Sequence, residues 1–214
     1  MRVERFSVGP WANNLYLLTG DDSHDGILVD PSMESEETLD TILRRGIRVR
    51  RILLTHAHID HIHLVHRFHD RTGAPVWLHP GDADFYANGG AQASMWGLPW
   101  EGAPPVAHWI RDGEEVGLPG IPVRAWHTPG HSPGSVTFET EDGLLVGDVL
   151  FSGSVGRTDL PGGDWDTLVA SIREVLFERA DDARVCPGHG PETTIGAERR
   201  ANPFVGDQAA GLGG

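Results

Sequence analysis

The chain has 214 residues, 39% hydrophobic and 22% charged, with one cysteine, twelve histidines and a formal net charge of −14. That composition is globular, and the length suits one domain or two halves sharing a core. It excludes an intrachain disulfide, offers no apolar run long enough to span a bilayer, and opposes non-specific binding to nucleic-acid phosphates, while leaving a small anionic substrate compatible. Residues 1 to 18 run through Gly9-Pro10-Trp11-Ala12-Asn13-Asn14 rather than an apolar signal segment. A soluble protein of the cytoplasm is therefore expected, with neither membrane nor nucleic acid as a partner.

Three short strands are predicted first, Val3 to Val8, Leu15 to Thr19 and Gly26 to Asp30, punctuated by Gly9-Pro10 and Gly20-Asp21-Asp22. They read as a meander. Ser32 is a candidate N-cap for a helix with Glu34, Glu36 and Glu37 early, Leu39, Ile42 and Leu43 on one face, Arg44 and Arg45 late, and Gly46 as its stop. A buried strand is predicted over residues 51 to 55, a helix from about His61 to Thr72, and a strand from Pro75 to His79. Residues 88 to 109 carry Gly89-Gly90, Met95-Trp96, Pro99-Trp100, Pro104-Pro105 and Trp109. Gly and Pro speak against a long regular element there, so the segment either lies over the core or walls a substrate cleft.

The second half repeats the order of the first. Strands are predicted at Ile121 to His127, Ser135 to Thr140 and Leu144 to Gly147, then a helix after Asp164 with Trp165, Leu168, Ile172, Val175 and Leu176 on its apolar face, then a strand from Arg184 to Cys186. Strands alternating with helices predict a layered α/β fold. Residues 1 to 204 are expected to form a single domain and 205 to 214 a disordered tail, and Cys186 is expected to pack at a strand end.

The densest chemistry lies in Thr55-His56-Ala57-His58-Ile59-Asp60-His61, which places three imidazoles and a carboxylate in a strand-to-helix turn. In a turn, His56, His58, Asp60 and His61 can converge, whereas a continuing strand would send neighbours to opposite faces. Imidazole and carboxylate suit zinc, iron or manganese, and with no thiolate in the turn the set is catalytic in kind rather than a structural zinc knot. Three other segments share one grammar, a metal-competent residue at a strand end held by Gly or Pro. They are Thr128-Pro129-Gly130-His131, Gly147-Asp148, and Pro187-Gly188-His189-Gly190.

The HxHxDH cluster followed by distant His, Asp and His resembles the metallo-β-lactamase fold superfamily, from the N-terminal meander to about Phe204. Within it, the stretch from Gly156 to Asp164 and the ending from Pro187 to Gly196 are similar to short bacterial glyoxalase II-like hydrolases. The resemblance implies a four-layer αβ/βα sandwich of two related halves with the metal site at one edge. It implies one divalent ion on His56, His58 and His131, a second on Asp60, His61 and His189, and Asp148 bridging them. Zinc is the expected metal, with iron or manganese as alternatives. A hydroxide bridging two ions ~3.5 to 4 Å apart would then attack a thioester carbonyl, with Asp60 orienting it and Asp148 holding both ions.

Arg157, nine residues after Asp148, matches the basic residue with which glyoxalase II holds glutathione, but the accompanying tyrosine position is Asp159. After His189 only 25 residues remain, fewer than the added helical domain of those enzymes needs. Arg157 is thus a candidate for a substrate carboxylate, or else an ion-pair partner of Asp159 or Asp164. The rival on the same fold is a persulfide dioxygenase, with one iron on His56, His131 and Asp148. A lactonase or a non-catalytic metal-binding module stands further off, since a structural site closes with four ligands. The family's usual glycine after the cluster is replaced by Ile62-His63. His63, His66 and His69 are expected on the helix surface, and His24, His79, His108 and His127 in packing or surface roles.

Overall fold

Period-two alternation of apolar side chains decides how the layers stack, because successive residues of a strand face opposite sides of the sheet. In the computed structural model, which describes residues 1–21 and 23–209, the antiparallel meander is β1 (Arg2–Val8), β2 (Asn13–Thr19) and β3 (Asp25–Val29). Helix α1 (Glu36–Arg44) crosses to β4 (Arg48–Leu53), which pairs parallel with β3. After α2 (Ile59–Ile62) and α3 (Val65–Thr72) comes β5 (Val76–Leu78); after α4 (Ala83–Ala87) and α5 (Gly89–Met95) comes β6 (Val106–Trp109), so the first sheet runs β1-β2-β3-β4-β5-β6.

The second sheet repeats this scheme. An antiparallel β7 (Arg124–His127), β8 (Val136–Thr140) and β9 (Gly143–Gly147) lead through the hairpin β10 (Leu150–Phe151) and β11 (Ser154–Val155) to α6 (Trp165–Ala170), continued by a π-helical turn over Ser171–Leu176. Strand β12 (Arg184–Pro187) then lies parallel to β9, β13 (Thr193–Thr194) pairs with it antiparallel, and α7 (Ile195–Ala201) follows.

Three apolar layers fill the gaps between four structural ones. Leu15, Leu17, Leu28 and Ile52 face α1 and α3 with Leu39, Ile42, Val65 and Phe68. Their strand neighbours Tyr16, Leu18, Ile27 and Leu53 face Phe138, Leu145 and Cys186 of the other sheet. Leu144, Val146 and Val185 face Leu168, Ile172 and Ile195 on the outer side. The αβ/βα sandwich follows from this alternation. Among the described residues no helix is long and apolar enough to cross a membrane.

Some boundaries differ from expectation. The helix expected from His61 is two pieces, broken where Leu64 takes φ −104° and ψ 11° and its N–H donates to the Pro31 carbonyl. Helix α1 starts after Ser35, not Ser32, because left-handed Glu34 (φ 59°) folds residues 31–35 into a tight loop in which Ser35 Oγ donates to the Ser32 carbonyl. The segment 88–109 does carry regular structure, α5 and β6; Gly89 and Gly90 make it possible, since the Trp100 ring lies where a Cβ at Gly89 would stand. Beyond Phe204 the chain stays packed for some residues, with Val205 buried against the outer helices and bonded to Asn202 Oδ1; the rest of the expected tail, 210–214, lies outside the described residues.

Candidate metal centre

Strands β4, β9 and β12 end at one edge of the sandwich, and the backbone stitches those ends together. Val136 N–H donates to the Thr55 carbonyl, Gly188 N–H to Gly147, and Asn14 N–H to Gly188. The loops that leave these strands carry His56 to His61, Asp148 and His189, and the loop between β7 and β8 brings His131 to the same edge. Gly188 is obligatory there, because a Cβ would collide with Asp148 Oδ1 and the His61 ring.

Among the described residues three groups of ligand-competent atoms gather within 4.8 Å: two separate trios, His56 with His58 and His131 and Asp60 with His61 and His189, and a third, Asp30 with His56 and His61, that shares a histidine with each. His58 Nδ1 stands 2.9 Å from His131 Nε2, and His189 Nε2 3.0 Å from Asp60 Oδ2. Asp148 lies between the trios, 3.4 Å from His61 Nε2 and from His189 Nε2 and 3.8 Å from His131 Nε2. All seven residues singled out as metal ligands in the sequence therefore come together.

The outward-facing ring nitrogens have acceptors, which sets the tautomers. His131 Nδ1 donates to the Arg157 carbonyl at 2.9 Å and His189 Nδ1 to the Trp11 carbonyl at 2.8 Å. His61 Nδ1 donates to Asp30 Oδ2 at 3.0 Å. His56 Nδ1 faces Thr55 Oγ1 at 3.1 Å, and that hydroxyl donates onward to Asp30 Oδ2 at 2.6 Å. In its neutral form each of these rings presents Nε2 as the lone pair. His56 Nε2 and Asp148 Oδ1 are buried without a protein partner. Buried, unsatisfied lone pairs converging with neutral imidazoles and carboxylates fit a pair of divalent cations.

Several supporting residues carry no clear signal in the sequence. Asp30 ends β3 in a left-handed conformation (φ 52°) and accepts both the Thr55 N–H, at 2.8 Å, and its hydroxyl. Asp82, past β5, accepts from Ala57 N–H at 2.8 Å, Ser132 Oγ at 2.8 Å and Gly134 N–H at 2.6 Å, so it ties the opening cluster to the His131 loop. Both flank β4 from its two parallel neighbours. Asn13 Nδ2 donates to Asp60 Oδ2 at 3.0 Å. A carboxylate just past an apolar strand was the available signal at Asp30, but beside Pro31 it reads as an ordinary turn residue.

Charge divides the site. Burial, reinforced by the neighbouring imidazoles, holds His56 well below its ordinary pKa and His58 down to about 3. Burial also acts against protonated His189, but Asp148 and Asp60 outweigh it and raise that imidazole to about 10. Burial would raise Asp60, yet His61 and His189 bring its carboxyl down to about 2.

Arg157 lines the mouth, but its guanidinium is paired with Asp159 through two bonds of 2.7 Å, and its fixed contribution is the carbonyl that orients His131. The other histidines stay outside the trios. His63 bonds the Pro99 carbonyl at 2.7 Å, His66 bonds Glu101, His69 the Ala74 carbonyl, and His108 Glu114. His79 stacks on His127 at 4.0 Å. The backbone carbonyl of His24 accepts from Arg48 N–H.

An αβ/βα sandwich with clustered His and Asp side chains at one edge is the architecture of a metal-binding protein. The sequence pattern of the Metallo-beta-lactamase superfamily matches residues 8–189, and the chain belongs to that superfamily. It is 38% identical to "Probable metallo-hydrolase YqgX" of Bacillus subtilis over 209 residues, 96% of this chain and 98% of that one. It is 34% identical to "Hydroxyacylglutathione hydrolase GloC" of Haemophilus influenzae over 213 residues, 98% of this chain and all of that one. Among solved structures, BLEG-1 B3 metallo-beta-lactamase superposes with a TM-score of 0.89 at 36% identity, over 95% of this chain and 99% of that one. TTHA1623 in a di-iron-bound form gives 0.85 at 40%, over 94% and 100%, and ETHE1 from Myxococcus xanthus 0.80 at 26%, over 96% and 84%.

Proposed function

We propose that the protein is a metal-dependent hydrolase that cleaves the thioester of a small molecule, a hydroxyacylglutathione among the candidates. The observation that carries the reading is the junction at Asp148, whose carboxylate stands within 3.8 Å of imidazoles from both trios. His56, His58 and His131 would hold one divalent ion, Asp60, His61 and His189 the other, and Asp148 both. When bound there, such ions supply Lewis acidity and a water whose pKa falls toward ~7. Zinc is the metal first expected, and the di-iron form of the related TTHA1623 puts iron beside it.

The chain's own groups do the positioning. Asp30 and Thr55 hold His61 and His56 in the tautomer that presents Nε2, while the Arg157 and Trp11 carbonyls do so for His131 and His189. Asp60, held by Asn13, is placed to orient the attacking water. Arg157 sits at the mouth, where its guanidinium can exchange Asp159 for a substrate carboxylate, a bidentate contact that suits it. A thiolate departs without a proton donor, so no further acid is needed. Similarity to GloC over the full chain favours the thioester, and one buried cysteine suits a reducing cytoplasm.

The test is a panel of thioester, lactone, β-lactam and persulfide substrates on zinc- and iron-loaded protein. Thioester turnover in preference to the others is expected. A single iron with oxygen uptake on a persulfide would replace the hydrolase reading with the dioxygenase.

A further inference from the structure

Two clefts open onto the candidate centre, and Trp11 borders both. One, of about 400 Å³, is walled by Trp11, Phe85, Met95, Trp96, Leu160 and Pro161. The other, of about 540 Å³, is bordered by Trp11, Phe151, Val155 and Pro191 together with Ser152, Ser154 and Arg157. Both reach His131, Asp148 and His189. A substrate reacting at the centre can thus extend one group into each cleft, and the first carries the more exposed apolar wall, Met95 and Trp96.

The apolar wall is a costly surface to leave bare. Met95 is 82% exposed, Trp96 55% and Trp11 39%, and among the described residues only Trp109 and Phe204 are comparably large exposed apolar side chains. Single exposed apolar residues are ordinary, whereas three around one mouth mark a ligand groove.

The wall is also fixed in place. Gln92 of α5 donates to the Ala57 and Phe85 carbonyls, at 3.0 and 2.8 Å, and accepts from Ile59 N–H at 3.2 Å, which locks the helix to the ligand turn. His63 holds the Pro99 carbonyl, while His66 and Arg67 hold Glu101. Trp100 seats on Gly89 and Gly90, and the Trp11 and Trp96 rings meet edge-on at 5.2 Å. Preorganised apolar walls bind a complementary group without the entropy of closing over it.

We propose that this cleft seats the acyl group of the substrate and selects a bulky apolar acyl group, aromatic or branched, over a short hydroxyacyl; the proposal rests on thioester hydrolysis at the adjoining centre. No charged side chain beyond the ligands and the paired Arg157 lines it, so the group it selects carries no charge of its own.

The experiment compares mandeloylglutathione with lactoylglutathione on zinc-loaded protein, since the two differ by phenyl against methyl. A kcat/KM at least ~10-fold higher for the phenyl compound is expected, the scale by which apolar pockets discriminate. Trp96→Ala should bring that ratio below about 3, while Trp109→Ala, on an exposed ring outside the cleft, should leave it intact. Equal or reversed rates in the parent protein, or a ratio untouched by Trp96→Ala, overturn the proposal while leaving thioester hydrolysis standing. Calorimetry with the inert S-benzylglutathione and S-methylglutathione separates the two readings. If neither thioester is cleaved but the benzyl compound binds ~10-fold tighter through Trp96, the cleft assignment holds and the reaction assignment falls. Equal binding of the two thioethers overturns the cleft assignment.

Discussion

The two trios are built from similar residues and behave as electrical opposites. His56, His58 and His131 form a buried set in which burial and crowding push His56 and His58 down; Asp60, His61 and His189 form a set whose carboxylates hold protons on their imidazoles. In the metal-free protein one half presents bare lone pairs and the other stores charge as protons. Asp148 belongs to both, which is why the halves can act as one site. Composition alone does not set ligand behaviour; one carboxylate among three ligands changes what a cation must displace.

Removing the shared group erases the distinction, so Asp148→Ala should have the largest effect. A fall in kcat of at least ~1,000-fold is expected, together with weakened binding of both ions; turnover within a few fold of the parent would mean that the junction is misplaced.

The contrast also has a pH signature. His189, raised to about 10, is protonated at neutral pH in the metal-free site, so a cation entering the second trio must displace that proton and its affinity should rise with pH. His56 and His58, held low by burial, are already deprotonated, so two of the three imidazoles of the first trio release no proton across the same window. Zinc titrations at pH 6 and 8 should show a gain of at least about 100-fold for the ion at the second trio, at tenfold per pH unit for each displaced proton, and a smaller gain for the other. Equal slopes would contradict the division.

Asp30 reaches both halves, holding His61 directly and His56 through Thr55. Asp30→Asn keeps the volume but turns a donor toward groups that already donate, and should lower metal affinity or activity about 10- to 100-fold. A smaller effect on turnover is expected at Asp82, which positions loops rather than ligands. Losing its carboxylate orphans the donors of Ala57, Ser132 and Gly134, so Asp82→Ala should cost about 3 kcal/mol in denaturant melts of the metal-free protein. Asp82→Asn should rescue only part of it, because the amide oxygen still accepts while the N–H cannot.

The residues that gather at the candidate site were legible in the sequence, because four of them crowd one turn and the others stand beside Gly or Pro at strand ends. The layered fold was legible for a related reason, the alternation along strands such as Leu15-Tyr16-Leu17-Leu18, where each side chain declares its layer. Asp30 and Asp82 were not, since each is a lone carboxylate in a turn whose meaning depends on β3 and β5 lying beside β4, a pairing between distant segments. The regular structure in 88–109 was hidden for the opposite reason. Gly89 and Gly90 look like helix breakers, and only the Trp100 ring across the chain makes their missing side chains an asset.

Metal stoichiometry tests the central assignment most directly. Native mass spectrometry of zinc-saturated protein should find two ions per chain in the parent and one each in His56→Ala and His189→Ala. A single ion in the parent, or loss of both ions on removing either histidine, would contradict two trios joined at Asp148.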